Sequence, residues 1–309
     1  MWLLSEVRRV GLEPTCMSYS AGISACEKGE QWQRALSLHY EMCKVELERD
    51  VVSFNAVISA CEKGNHWEEA LLLFGELRKT SLEPSIVTYS AAISACGGAM
   101  QWQPALCLFG ELRDVGLEPN IISYGAGIRA FASNGDWLQA LVLLGEIREA
   151  NVDIDIISYN TGMKACAEGG QWQQALSLLN CMSGTEMEPN LITYNTAIDA
   201  CGKGGQWERS LYLLRCAGEA VLEPDVVSYA TAMYACGEGQ EWERALFLLH
   251  DSRRTKLEPT VTVYSLAADV CEKAGQWEQA LSLGDAIRDV GIVPDRSFYC
   301  SLIRSSLSK

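Results

Sequence analysis

Across Leu191–Asp225 the apolar and polar positions trace two helical patterns separated by Gly204-Gly205. The first sets Tyr194, Ala197, Ile198 and Cys201 at i, i+3, i+4 and i+7, the stripe of an amphipathic helix, with Thr193 as its expected N-cap. Gly204 is expected to supply the left-handed residue that closes this helix. The second pattern begins near Trp207 and carries Leu211, Leu213 and Leu214. It ends before Glu223-Pro224, because proline cannot continue a helix and pushes its predecessor toward extended backbone. Two helices of about three turns each cannot bury their apolar faces alone, so the pair must stack on others like it.

The others are present in the chain itself. Trp32, Trp67, Trp102, Trp137, Trp172, Trp207, Trp242 and Trp277 recur every 35 residues, and the surrounding pattern recurs with them. Eight units follow at 16–50, 51–85, 86–120, 121–155, 156–190, 191–225, 226–260 and 261–295. Residues 1–15 match the back half of a unit and 296–309 open a ninth, as the ends of a fragment of a longer array would. The expectation is an all-α fold of stacked antiparallel helix pairs, an α-solenoid. Three units depart from the pattern. Arg49 and Ile154 replace the usual penultimate proline, and Phe131 and Val263 replace a cysteine and a Ser/Thr. Pro104 falls in the first turn of a second helix, where proline is tolerated.

Cysteine usage changes the picture little once it is set on this lattice. Seven of the 13 cysteines, Cys26, Cys61, Cys96, Cys166, Cys201, Cys236 and Cys271, share one place in the unit. Equivalent residues of stacked helices stand roughly 10 Å apart, beyond the ~7 Å reach of a disulfide between α-carbons. They read as small buried apolar residues of a reduced, intracellular or organellar protein. No C-x-x-C pair occurs, the three histidines fall at different phases of the unit, and Gly169-Gly170 and Gly204-Gly205 lie between helices without a preceding strand. No metal, cofactor, phosphate loop or catalytic constellation is therefore expected, and no stretch is long and apolar enough for a transmembrane helix. The tryptophan row is read as packing between helices, not as a base-stacking platform.

Each unit opens with a form of V-V-S-Y-N, as in VVSFN at 51–55 and LITYN at 191–195, and most close on L-E-P-D or L-E-P-N. The W-x₂-L-G-x₂-Y signature of tetratricopeptide repeats is missing from every unit. The chain instead resembles the pentatricopeptide repeat family over nearly its whole length. That resemblance implies a right-handed superhelix and sequence-specific binding of single-stranded RNA at about one base per unit. It implies base reading by the fifth and last residues of each unit: Ser20 with Asp50 for G, Asn55 with Ser85 for C, Ser90 with Asn120 for A, Asn160 with Asn190 for C, Asn195 with Asp225 for U and Ser265 with Asp295 for G. Gly125 with Asp155 has no fifth-place hydrogen-bonding side chain and leans to G or U; Ala230 with Thr260 is uninformative. The implied site is 5′-GCAnCUnG-3′. The side-chain chemistry agrees, since Asp only accepts and suits guanine or uracil, whereas Asn also donates and suits adenine or cytosine.

By the same resemblance, the second residues Met17, Val52, Val87, Ile122, Ile157, Ile192, Val227 and Thr262 flank the bases, and Lys28, Lys63, Lys203 and Lys273 approach the phosphates. An ordinary packing role for the second residues is the competing reading. The net charge is −15, from 40 acidic and 25 basic residues, unusual for a nucleic-acid binder. Part of the acid forms a row on the connectors: Glu13, Glu48, Glu83, Glu118, Asp153, Glu188, Glu223 and Glu258. The face expected to meet RNA is near neutral, which implies modest affinity with a shallow salt dependence. The resemblance implies a non-catalytic adaptor in RNA processing, stability, editing or translation in a chloroplast or mitochondrion, working with a separate effector protein. The alternative is an acidic protein-interaction scaffold that keeps the fold without RNA affinity. Variation among Ser, Asn, Gly and Ala at the fifth place, beside a nearly constant Tyr or Phe, favours the first.

Overall fold

The computed structural model describes residues 14–45, 47, 49–150, 153–183, 187–255, 257 and 259–307. The back half-unit expected over residues 1–15 therefore lies almost wholly outside the described residues, as do Glu13, Glu48 and Glu258 of the connector row. Every described element is a helix. In chain order they are α1 (Cys16–Lys28), α2 (Trp32–Lys44), α3 (Val51–Lys63), α4 (Trp67–Lys79), α5 (Ile86–Gly98), α6 (Trp102–Asp114), α7 (Ile121–Asn134), α8 (Trp137–Glu149), α9 (Ile156–Glu168), α10 (Trp172–Ser183), α11 (Leu191–Lys203), α12 (Trp207–Glu219), α13 (Val226–Glu238), α14 (Trp242–Arg254), α15 (Val261–Lys273), α16 (Trp277–Asp289) and α17 (Arg296–Leu307).

The helices group into two compact bodies, Met1–Gly162 and Met163–Lys309. In the first, α1, α3, α5 and α7 pack side by side, and α2, α4 and α6 each rest on the first helix of their own unit and on that of the next. The second body repeats this with α11, α13, α15 and α17 side by side and α12, α14 and α16 behind them. The core runs between these layers. In the unit read first, Ala197, Ile198, Cys201, Leu213 and Leu214 are buried, and Tyr194 and Leu211 are half-buried. Each fully buried aliphatic side chain contributes roughly 1.5–3 kcal/mol. All thirteen cysteines are free thiols. Burial pushes the Cys61 thiol up to about 12 and those of Cys96, Cys166, Cys201, Cys236 and Cys271 up to about 11, consistent with inert packing.

Two local expectations are corrected. Thr193 is not the N-cap of α11; Asn190 is, and Thr193 stands three residues later, returning its hydroxyl to the Asn190 backbone N–H in a capping box. Gly204 is not left-handed, with φ −84; the left-handed residue is Gly205, with φ +68. That place is left-handed in every unit: Glu30, Asn65, Met100, Gly135, Gly170, Gly205, Gln240 and Gly275 all have positive φ. Gly204 answers a different need. A Cβ there would stand 2.3 Å from Trp172 Cδ1, and equivalent contacts join Gly64 to Trp32 and Gly239 to Trp207. These tryptophans thus pack on the first-helix end of the following unit, the structural role expected of the row.

Candidate nucleic-acid interface

The last residue of each unit is the N-cap of the next unit's first helix. Asp50 accepts from Ser53 N at 2.8 Å, Ser85 from Thr88 N at 3.4 Å and Asn120 from Ser123 N at 2.9 Å. Asp155 accepts from Ser158 N at 2.8 Å, Asn190 from Thr193 N at 3.0 Å, Asp225 from Ser228 N at 2.8 Å and Asp295 from Phe298 N at 2.9 Å. Thr260 makes no such bond. The cap has a consequence for recognition. An N–H needs an acceptor, so an Asn must turn its carbonyl oxygen to the helix and leave its NH₂ outward. An Asp in the same pose leaves a second oxygen outward, which can only accept. Capping thereby converts the choice between Asp and Asn into a choice between acceptor and donor.

Fifth-place side chains lie beside these caps. Asn55 Nδ2 donates to Ser85 Oγ at 3.4 Å, Ser90 Oγ to Asn120 Oδ1 at 3.1 Å and Ser265 Oγ to Asp295 Oδ1 at 3.1 Å. Among the described residues no hydrogen bond joins Ser20 to Asp50 or Asn195 to Asp225, and Ala230 has no group to offer Thr260. Ser20 Oγ, Asn160 Oδ1 and Asn195 Oδ1 are buried without a partner. Most buried polar atoms are satisfied, so three at one place in the unit single that place out. Thr88 adds a third member, donating to Asn55 Oδ1 at 2.6 Å. Its signal in the sequence was the Ser/Thr row at the third place.

Second-place residues face solvent. Met17, Val52, Val87, Ile122, Ile157, Ile192 and Val227 are 55–81% exposed, and Thr262 is exposed too. These residues form an exposed, mostly apolar row on the first turn of successive helices. At the fourth unit the arrangement opens into a hollow of about 150 Å³ bounded by Ile122, Gly125, Arg129, Asp155, Ile157 and Ser158. Gly125 creates it: a Cβ there would meet only Ser158 Oγ, at 3.5 Å.

Three of the four lysines are already paired with acids. Lys63 meets Glu27 at 2.9 Å, Lys203 meets Asp199 at 2.8 Å and Lys273 meets Glu238 at 2.9 Å; Lys28 has no such partner among the described residues. Arg129 donates to Ser94 Oγ at 3.1 Å. Burial pushes the Glu62 carboxyl up, opposed by a hydrogen bond from Ser94 and by Arg129 and Lys63. The basic groups of this face are thus largely committed to neighbouring acids, in keeping with its near-neutral reading from the sequence. Among the described residues no His/Cys/Asp/Glu group could hold a metal, and no helix is long and apolar enough to cross a membrane.

Family models bear directly on the pattern. One described as PPR repeat family matches residues 49–98 and 154–203, a pentatricopeptide repeat domain matches 107–167, and a PPR repeat matches 87–117 and 192–217. Together they run unbroken over 49–217, more than half of the 309-residue chain. The chain belongs to the pentatricopeptide repeat family. Its fold matches the pentatricopeptide repeat protein PPR10 from maize with a TM-score of 0.54, at 24% identity over 99% of this chain and 49% of that one. It also matches PPR10 in complex with an 18-nt psaJ RNA element, with a TM-score of 0.56 at 16% identity over 98% of this chain and 54% of that one. This pentatricopeptide chain thus spans about half the length of those solved chains, and the likeness concerns the fold. No curated protein sequence matches it.

Proposed function

We propose that this chain is a sequence-specific single-stranded RNA-binding adaptor without catalysis of its own, reading about one base per unit. The observation that carries the reading is the hollow at Gly125. Two exposed isoleucines bound it, a capping carboxylate lines it, and its residue places recur in every unit. A base entering there would be flanked by Ile122 and Ile157 and would meet the outward oxygen of Asp155. Applied along the chain, the outward groups of the capped side chains give 5′-GCAnCUnG-3′. Asp50, Asp225 and Asp295 offer acceptors to G, U and G, and Asn120 and Asn190 offer donors to A and C. Asn195 rather than Ser at the fifth place selects U over G at the sixth base. Membership of the family and the RNA complex of PPR10 support an RNA partner. By family, the site of action is a chloroplast or mitochondrion, and a separate effector supplies any chemistry.

The paired lysines favour one competitor, an acidic scaffold without RNA affinity. A gel shift with the octamer and a scrambled octamer at about 50 mM salt, where charge contacts are strongest, separates the two. Preference for the octamer is expected; equal or undetectable binding to both would establish the scaffold instead. In the same assay Asn195→Ser moves the preference at the sixth base from U toward G, and an unchanged preference would remove the code from this chain.

A further inference from the structure

Five of the eight units carry an arginine at the twenty-eighth place, in the second helix, and five carry an acid at the twenty-sixth; where the arginine of one unit is followed by the acid of the next, the two meet. Arg78 reaches Glu111 at 2.9 Å, and Arg113 reaches Glu146. The first unit has Cys43 at the arginine place, and there Arg49, the residue standing where proline is usual, reaches Glu76 at 4.0 Å instead. Glu76, Glu111 and Glu146 therefore each receive an arginine from the preceding unit. Two of these arginines also lie over an aromatic ring, Arg49 at 5.3 Å from the Phe54 centroid and Arg113 at 5.2 Å from that of Phe109.

Asp251 is the matching acid of the seventh unit, and the preceding unit offers it Gly218. The Asp251 carboxylate accepts from Tyr229 Oη at 3.2 Å and has no cation within ion-pair distance among the described residues. Between α12 and α14 a groove of about 630 Å³ opens over it, lined by Leu211, Pro224, Tyr229, Arg244, Phe247 and Asp251 among others. That size falls among ligand-binding clefts, which run ~300–1,000 Å³. Phe247 stands 60% exposed at its edge, and Arg215, the lining arginine on α12, turns to Glu219 at 3.4 Å. A Cβ on Gly218 would meet nothing nearer than Pro224 Cγ at 4.0 Å, so the space a longer side chain would take is open.

We propose that this groove is a docking site for a partner protein, which inserts an arginine flanked by apolar residues and so supplies the guanidinium the array omits at Gly218. The junctions at Glu76, Glu111 and Glu146 pair a carboxylate with a guanidinium internally, two of them with an aromatic ring beside the cation. A guanidinium fits better than an ammonium, because its planar fork matches the carboxylate and stacks on rings. The chain's net charge of −15 draws a basic segment toward it. The site lies on second helices, so it does not rest on the reading of the first-helix face.

A fluorescein-labelled peptide of sequence leucine-leucine-arginine-leucine-phenylalanine, acetylated and amidated, is titrated with the full chain and followed by fluorescence polarisation. Its glutamine-for-arginine counterpart is the control. The arginine peptide is expected to bind at least about tenfold more tightly than the control. Gly218→Arg, which fills the groove from within, abolishes binding of both peptides. Asp251→Asn, which keeps an acceptor for Tyr229, lowers the arginine peptide to the level of the control. Circular dichroism melts establish that each variant is folded, and Asp251→Asn alone carries the test should Gly218→Arg not fold. Wild-type protein that binds neither peptide, or both equally, overturns the proposal, as does a folded Gly218→Arg protein that binds like wild type.

Discussion

Thr88 donates its hydroxyl proton to Asn55 Oδ1 at 2.6 Å while the Asn55 amide reaches Ser85 Oγ at 3.4 Å, so one unit's fifth-place side chain is held by two residues of the following helix start. With its oxygen taken by Thr88 and one amide hydrogen by Ser85, Asn55 keeps one amide hydrogen, which on the proposed reading is the donor offered to a base. Thr88→Val keeps the shape and removes the donor. Because Thr88 is fully buried, urea melts are expected to show a loss of about 1–2 kcal/mol. In gel shifts the preference for C at the second base of the octamer falls, and that for A at the third base holds. Equal loss at both bases would mean that Thr88 supports only the fold.

Capping and reading can be separated at Asp225. Asp225→Asn keeps an oxygen for Ser228 N and turns an NH₂ outward, so stability stays within about 0.5 kcal/mol while the sixth base shifts from U toward C. Asp225→Ala removes the cap, costing about 1 kcal/mol and the preference together. Chemical denaturation alongside competition gel shifts checks both.

Left-handed backbone at Met100 and Gln240, with φ +57 and +59, strains residues that have a Cβ. Met100→Gly and Gln240→Gly are each expected to raise stability by about 1 kcal/mol, and Gly205→Ala to lower it by about as much. Thermal melts of the three variants test the set; a fall with either glycine would show that these side chains make compensating contacts.

His39 occupies an apolar slot that holds Phe74 and Phe109 in the next two units. Burial, and next the Arg49 charge, lower its pKa from 6.5 to about 4, and neither ring nitrogen has a partner. The unfolded chain therefore takes up a proton that the folded one refuses between those values. Its contribution to stability is complete above pH 6.5 and is lost as the pH falls toward 4, by about 3 kcal/mol. His39→Phe should raise stability at neutral pH and flatten that part of the pH profile in urea melts at pH 7.5, 6, 5 and 4.5.

Much of this was legible in one chain because a repeat supplies its own internal controls. The tryptophan spacing located the second helices, and the apolar stripe located Ala197, Ile198 and Cys201 in the core. Boundaries were harder. Asn190 and Thr193 are both capping residue types three apart, and the stripe identifies a helical face without identifying its first residue. Gly204 and Gly205 are adjacent glycines serving different needs, one for the approach of Trp172 and one for the backbone sign. Nothing in the residue types of Glu30, Met100 or Gln240 announces left-handed backbone; the tight link to the next helix imposes it. The arginines at the place of Gly218 did not stand out in the sequence, because Cys43 and Ser183 also interrupt them and their partners Glu111 and Glu146 lie a whole unit away.

The capping role of the last residue limits how such an array can change its target. If that place reads bases as proposed, any letter written there must first close a helix, and the side chains that do so well are Asp, Asn, Ser and Thr. The usable alphabet is therefore small from the outset, and drift outside it unravels a helix start before it alters a message. On the proposed reading, retargeting can proceed by exchange of one oxygen for an amide nitrogen on an unchanged scaffold.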